Sequence, residues 1–114
     1  MKVSRVGKAL MLRIYPVVLE VVRALQPLLR QIERRDRDLA RQLRRCSASV
    51  ALNLAEGMFS RGQNRELRYH SALGSARETL ACLEFAVASS YINEQGLPQE
   101  QLLRIIGTLV KLVR

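Results

Sequence analysis

The chain contains no tryptophan, and Phe, Tyr and Trp together make up only 4% of its 114 residues. A core with so few rings must be filled by Leu, Val, Ile and Ala, which favours helices packed on helices. Histidine occurs once, at His70, and cysteine twice, at Cys46 and Cys82. No CxxC or Cys/His ligand spacing exists, which argues against a metal site, and nothing indicates a disulfide framework. Di-iron bundles need Glu-x-x-His on two helices, and here Glu66 precedes the single histidine by four residues. Gly-rich phosphate loops and the GxSxG elbow are missing. No 18-residue uncharged apolar run occurs, so no membrane span is expected. Lys2, Arg5 and Lys8 lead into apolar residues, but Arg13 and Glu20 interrupt them and no small-residue cleavage site follows, a poor fit to a signal peptide. The expectation is one cytoplasmic domain over residues 1–114, without catalytic residues, cofactor or metal.

Acidic residues are also scarce. Ten face 19 Lys plus Arg, for a formal charge of +9, and sixteen of the nineteen are Arg. The Arg preference has a bland explanation in a GC-rich genome. The excess of positive charge does not, and it favours a polyanion such as RNA or DNA as partner. Arg offers a planar fork of donors suited to phosphate.

What is present is helical periodicity. Leu10, Ile14, Val17, Val21, Leu25, Leu28 and Ile32 recur at steps of three and four and predict a helix from Ala9 to about Glu33, with Ser4 as a candidate N-cap. Pro16 and Pro27 fall inside it, so a kink at one or both, or a start near Pro16, is expected. Residues 33–38, ERRDRD, lack apolar members and read as the first connection. Leu39, Leu43, Cys46, Val50 and Leu54 form the stripe of a second helix, from Asp36 or Asp38 to Met58 or Phe59, with Ser47, Ala48, Ala51 and Ala55 beside it. Gly57 and Gly62 bracket the second connection, with Asn64 as N-cap.

A third helix from about Arg65 to Tyr91 carries a heptad-type seam, Tyr69, Leu73, Ala76, Leu80, Leu83 and Val87. It also carries a flank of mostly small residues, Ala72, Ser75, Thr79, Cys82 and Ala86. Asn93–Pro98 reads as the third connection. A short fourth helix covers Pro98–Val113, with Pro98 in its first position. Four helices with short connections predict an all-α, antiparallel up-down-up-down four-helix bundle.

Two groups of arginines are candidates for phosphate contacts: Arg34, Arg37, Arg41, Arg44 and Arg45 along the second helix, and Arg61, Arg65 and Arg68 where the third begins. They lie ~20 to 30 Å apart at opposite ends of a helix. The competing reading is a solvated face partly neutralised by Glu33, Asp36 and Asp38. Base stacking has little support, because the aromatic residues are not interleaved with the arginines. A nucleophilic pair of His70 with Cys82 is excluded by twelve residues of helix, about 18 Å.

The stretch QLRRCSASVALNLAEG from Gln42 to Gly57, then Arg61, then ELRYHSALGSARETL from Glu66 to Leu80, resembles the bacterial four-helix-bundle proteins named for the intervening sequences of 23S ribosomal RNA genes. Gln42, Arg44, Arg45, Ser49, Asn53, Ala55, Glu56 and Gly57 match the first part of the family pattern, and Glu66, Gly74, Ser75 and Glu78 the second. Cys46 stands where Ala is usual, His70 where an apolar residue is usual, and ERRDRD where a Phe-Pro pair is expected. The resemblance implies a ring-shaped homopentamer and a chain that is not an enzyme. It extends to the accessory protein of diversity-generating retroelements, a pentameric bundle that binds a reverse transcriptase and nucleic acid. A scaffold for such a protein partner, without nucleic-acid binding, is therefore the alternative function. In this setting Asn53, Glu56, Ser75 and Glu78 are candidates for a buried polar network with Arg44 or Arg45. The small flank Ala72, Ser75 and Thr79 is a candidate subunit contact.

Overall fold

The computed structural model describes residues 5–113, with side chains described from Arg13 to Val113. Four helices make up the fold: α1 (Arg5–Arg35), α2 (Arg37–Phe59), α3 (Gly62–Ala88) and α4 (Gln99–Leu112). No strand occurs among the described residues. Each helix packs on its chain neighbour, and α1 also meets α4, which closes a four-cornered bundle of 44 × 22 × 20 Å. Contacts between α2 and α3 pair Cys46 with Thr79, Ser49 with Ser75 and Asn53 with Arg68. The numbers rise on α2 as they fall on α3, so these two helices are antiparallel. The expected N-cap Ser4 and the side chain of Leu10 lie outside the described residues.

The core is aliphatic, as the shortage of rings requires. Ile14, Val17, Val18, Val21, Leu25, Leu28, Leu29 and Ile32 of α1 are buried, and so is the whole α2 stripe from Leu39 to Leu54. From α4, Leu102, Ile105 and Leu109 join them.

Helix α1 runs without a break through both prolines. Pro16 and Pro27 share an exposed stripe with Glu20, Arg23, Arg30 and Arg34, at steps of four and three. The hydrogen bonds that they remove therefore lie on the water side, where solvent satisfies the freed carbonyls. Next to the second gap, the Gln26 side chain donates to the Val22 carbonyl at 2.9 Å.

The first two connections are shorter than the sequence predicts, and the third is longer. ERRDRD is almost wholly helical: α1 ends at Arg35, α2 begins at Arg37, and Asp36 alone is non-helical. A segment without apolar residues reads as a loop, but Arg and Glu are good helix formers, and here they simply face water. Asp36 accepts a hydrogen bond from the Leu39 N–H at 2.9 Å, the N-cap bond of α2. Helix α3 likewise starts three residues early. Gly62 adopts φ +58, Arg61 holds the cap position without a side-chain bond, and Asn64 is inside the helix. Pro98 caps α4 rather than opening it.

The C-terminus of α3 falls at Ala88, short of the predicted Tyr91. It ends in a two-bond reversal in which Tyr91 N–H donates to Ala86 O and Ser90 N–H to Val87 O, with Ser90 at φ +62. The reversal brings the Tyr91 ring to 5.7 Å from the Arg35 guanidinium, tying the α3–α4 loop to the α1–α2 turn.

Replacing Asp36 by Ala leaves the first turn of α2 without its side-chain acceptor. A loss of ~1 kcal/mol is expected, read as a lower urea midpoint at unchanged m-value.

Candidate nucleic-acid interface

Of the eight candidate arginines, all but Arg65 are exposed. Arg34, Arg37, Arg41, Arg44 and Arg45 surround the α1–α2 turn, while Arg61, Arg65 and Arg68 lie at the other end of α2. The sequence reading missed Arg23, Arg30 and Arg35, also exposed. Arg23, Arg30 and Arg34 step by seven and four along α1, a helical spacing legible in the sequence beside that helix's apolar stripe. Together these residues make a basic strip that runs down α1 and over the turn onto α2.

Not every arginine is free to meet a ligand. Arg44 donates to Glu33 at 3.0 Å, bracing α2 against α1. Arg41 sits 3.8 Å from Asp38 in a loose exposed pair. Arg65 is half-buried and its Nε donates to the Gly57 carbonyl at 3.2 Å, satisfying a backbone acceptor at the end of α2. Arg68 reaches Asn53 Oδ1 at 3.4 Å. Among the described residues, Arg34, Arg37, Arg45 and Arg61 form no ion pair.

The expected polar network exists in part: Asn53 and Ser75 belong to it. Its hub is Ser49, whose Oγ accepts from Ser75 Oγ at 2.7 Å and from Asn53 Nδ2 at 2.9 Å. The same Asn53 amide also donates to the Ser49 carbonyl at 2.9 Å. Glu56 and Glu78 do not join: both are exposed, and neither forms an ion pair among the described residues. Arg44 turns away toward Glu33, and Arg45 stays in the open. All of these except Arg44 line one open groove of about 890 Å³ between α2 and α3, which Arg41, Gln42 and Arg68 also border.

Two further observations correct and extend the reading of α3. The small flank is used inside the protomer: Ala72 and Ala86 are fully buried, and Thr79 Oγ1 lies 2.8 Å from Ser75 O and 3.3 Å from Cys46 Sγ, with its one proton to share between them. Ala72 and Thr79 are therefore not available as subunit contacts, whereas half-buried Ser75 opens onto the groove. Gly57 owes its identity to a neighbour that the sequence does not reveal. A Cβ built there would fall 2.8 Å from Tyr69 Cδ1, and Tyr69 is buried.

The titratable groups fit structural roles. Burial pushes the Cys82 thiol up to about 12 and raises Cys46 as well, so both stay protonated and unreactive near neutrality. His70 is exposed on α3, nine residues from the Thr79 that touches Cys46, ~13 Å along the helix. Among the described residues no group of three His, Cys, Asp or Glu is placed to hold a metal ion. No helix among them is long and apolar enough to cross a membrane.

The model of one family, 23S rRNA-intervening sequence protein, matches residues 11–112. The chain belongs to this family. A crystal structure agrees in fold, that of a protein of unknown function from the S23 ribosomal protein family of Bacteroides thetaiotaomicron. It is 20% identical, with a TM-score of 0.78 over 89% of this chain and 98% of that one. No match occurs among curated proteins.

Two outcomes are expected from this geometry. Gly57→Ala drives a methyl into the Tyr69 ring and lowers stability by ~1 to 3 kcal/mol, visible as a lower thermal midpoint. The hydrogen bond from Arg44, with its charge, holds the Glu33 carboxyl below its ordinary value. The stabilisation from this pair is thus present above the ordinary carboxylate range and lost as pH falls through the depressed folded value. In an NMR titration Glu33 moves back up in Arg44→Ala.

Proposed function

We propose that this intervening-sequence protein is a non-catalytic, cytoplasmic, basic homo-oligomer that binds RNA or DNA through phosphate contacts. Five copies are what the resemblance to pentameric bundles implies. The observation that carries the reading is the exposed strip of Arg23, Arg30, Arg34 and Arg37, which form no ion pair among the described residues of a chain with net charge +9. Such a strip sets up a positive field with donors that fit phosphate oxygens. Binding is driven by counterion release and positions the chain on a backbone without reading bases.

Titration of single- and double-stranded RNA and DNA across salt tests this directly. Affinity should fall steeply and linearly on a log–log plot, and Arg34→Ala with Arg37→Ala should lower the slope by about one per arginine contact removed. Negligible binding at low salt would instead favour the alternative, an oligomeric scaffold for a protein partner such as a reverse transcriptase.

A further inference from the structure

Five large apolar side chains stand exposed among the described residues, and four of them belong to the α2–α3 hairpin: Leu52 (65% exposed), Phe59 (88%), Leu67 (62%) and Phe85 (55%). Leu52 and Phe59 are seven apart on α2. Leu67 and Phe85 end a stripe on α3 in which Leu67, Ser71, Gly74, Glu78, Ala81 and Phe85 step by four, three, four, three and four, every one of them exposed. This is a seam of coiled-coil spacing that nothing in the protomer covers. It is distinct from the two α3 faces already buried against the rest of the bundle. Glu78 belongs both to this stripe and to the polar groove, so seam and groove form one continuous face. A smaller hollow bordered by Gln42, Ala81 and Phe85 prolongs it toward the α1–α2 turn.

The charge on this face differs from that of the rest of the chain. Arg41, Arg45 and Arg68 border the groove together with Asp38, Glu56 and Glu78. Three cations and three anions balance on a molecule whose total is +9. A polyanion has no reason to settle there. A second copy, repelled by the positive charge elsewhere, meets both signs and can pair with both. Of the six, Arg45, Arg68, Glu56 and Glu78 form no ion pair among the described residues. Gly74 lies in the middle of the seam, and a Cβ there would meet nothing within 4 Å of its own chain. No contact in the protomer calls for glycine, a poor helix former, at that position. Gly107 on α4 is equally open, but its helical neighbours Arg104 and Lys111 are charged.

We propose that the outer α2–α3 face, centred on Gly74 and flanked by Glu56 and Glu78, is the surface through which copies of this chain associate. The inference rests on the homo-oligomer in the proposed function and divides the arginines between two tasks. Arg45 and Arg68 pair with carboxylates of an adjacent copy, while Arg34 and Arg37 on the strip remain for phosphate.

Light scattering on the full chain, purified free of nucleic acid, tests the division. Gly74→Trp should reduce the mass to that of one chain with an unchanged helical circular dichroism spectrum, because its side chain has open space in the protomer. Glu56→Arg with Glu78→Arg should do the same, whereas Glu20→Arg with Glu100→Arg adds equal charge elsewhere and should leave the oligomer intact. Should Gly74→Trp not fold, Leu67→Ser with Phe85→Ser replaces it. A wild-type chain that is monomeric overturns the proposal, and so do face variants that keep the wild-type mass. Arg34→Glu with Arg37→Glu should retain the oligomer while losing salt-dependent binding to nucleic acid. Failure of the nucleic-acid reading would thus leave the mass measurements unaffected.

Discussion

Tyr69 is buried because residue 57 has no side chain, and this contact fixes how closely α2 and α3 approach near their connection. The same register is held further along by Ser49 against Ser75 and by Thr79 against Cys46. All three are contacts between small or flat groups, so the two backbones lie close together, and a one-residue slip would disrupt every one of them. The polar groove follows from this register. Gln42, Arg45, Asn53 and Glu78 border a common space because the residues beneath them are too small to hold the helices apart. Interiors this tightly packed tolerate few changes of volume.

The apolar stripes of α2 and α4 were readable in the sequence, since helical period and burial are two views of one fact. So was the family, through Gln42–Gly57 and the segment after Glu66. The connections were less legible. ERRDRD has the composition of a loop and the propensity of a helix, and only the packing of Ile32 and Leu39 on either side decides between them. The polar letters were harder still. Asn53 and Glu56 are three apart and look equivalent in a one-dimensional pattern, yet a rotation of about 60° separates a side chain turned to Ser49 from one left in water. Exposure of Leu67, Gly74 and Phe85 was not visible either, because α3 has packable residues all round and periodicity alone cannot rank its faces.

Charge is spread unevenly over this basic protein. The strip on α1 gathers Arg23, Arg30 and Arg34, which form no ion pair among the described residues. The hairpin face mixes signs around an apolar and small-residue seam, so its field is short-ranged and its contacts directional. Glu33 with Arg44 belongs to neither region. It braces α1 on α2 between them.

The turn at Asp36 has a consequence for how the chain folds. With one residue between α1 and α2, closing that hairpin costs little loop entropy, and α2 with α3 is joined by a connection nearly as short. Three of the four helix pairs are therefore local in sequence, a topology associated with rapid folding. The exception is α1 with α4, whose partners are separated by the whole of the intervening chain. Closure of the α1–α4 contact accordingly carries the largest loop entropy cost of the four.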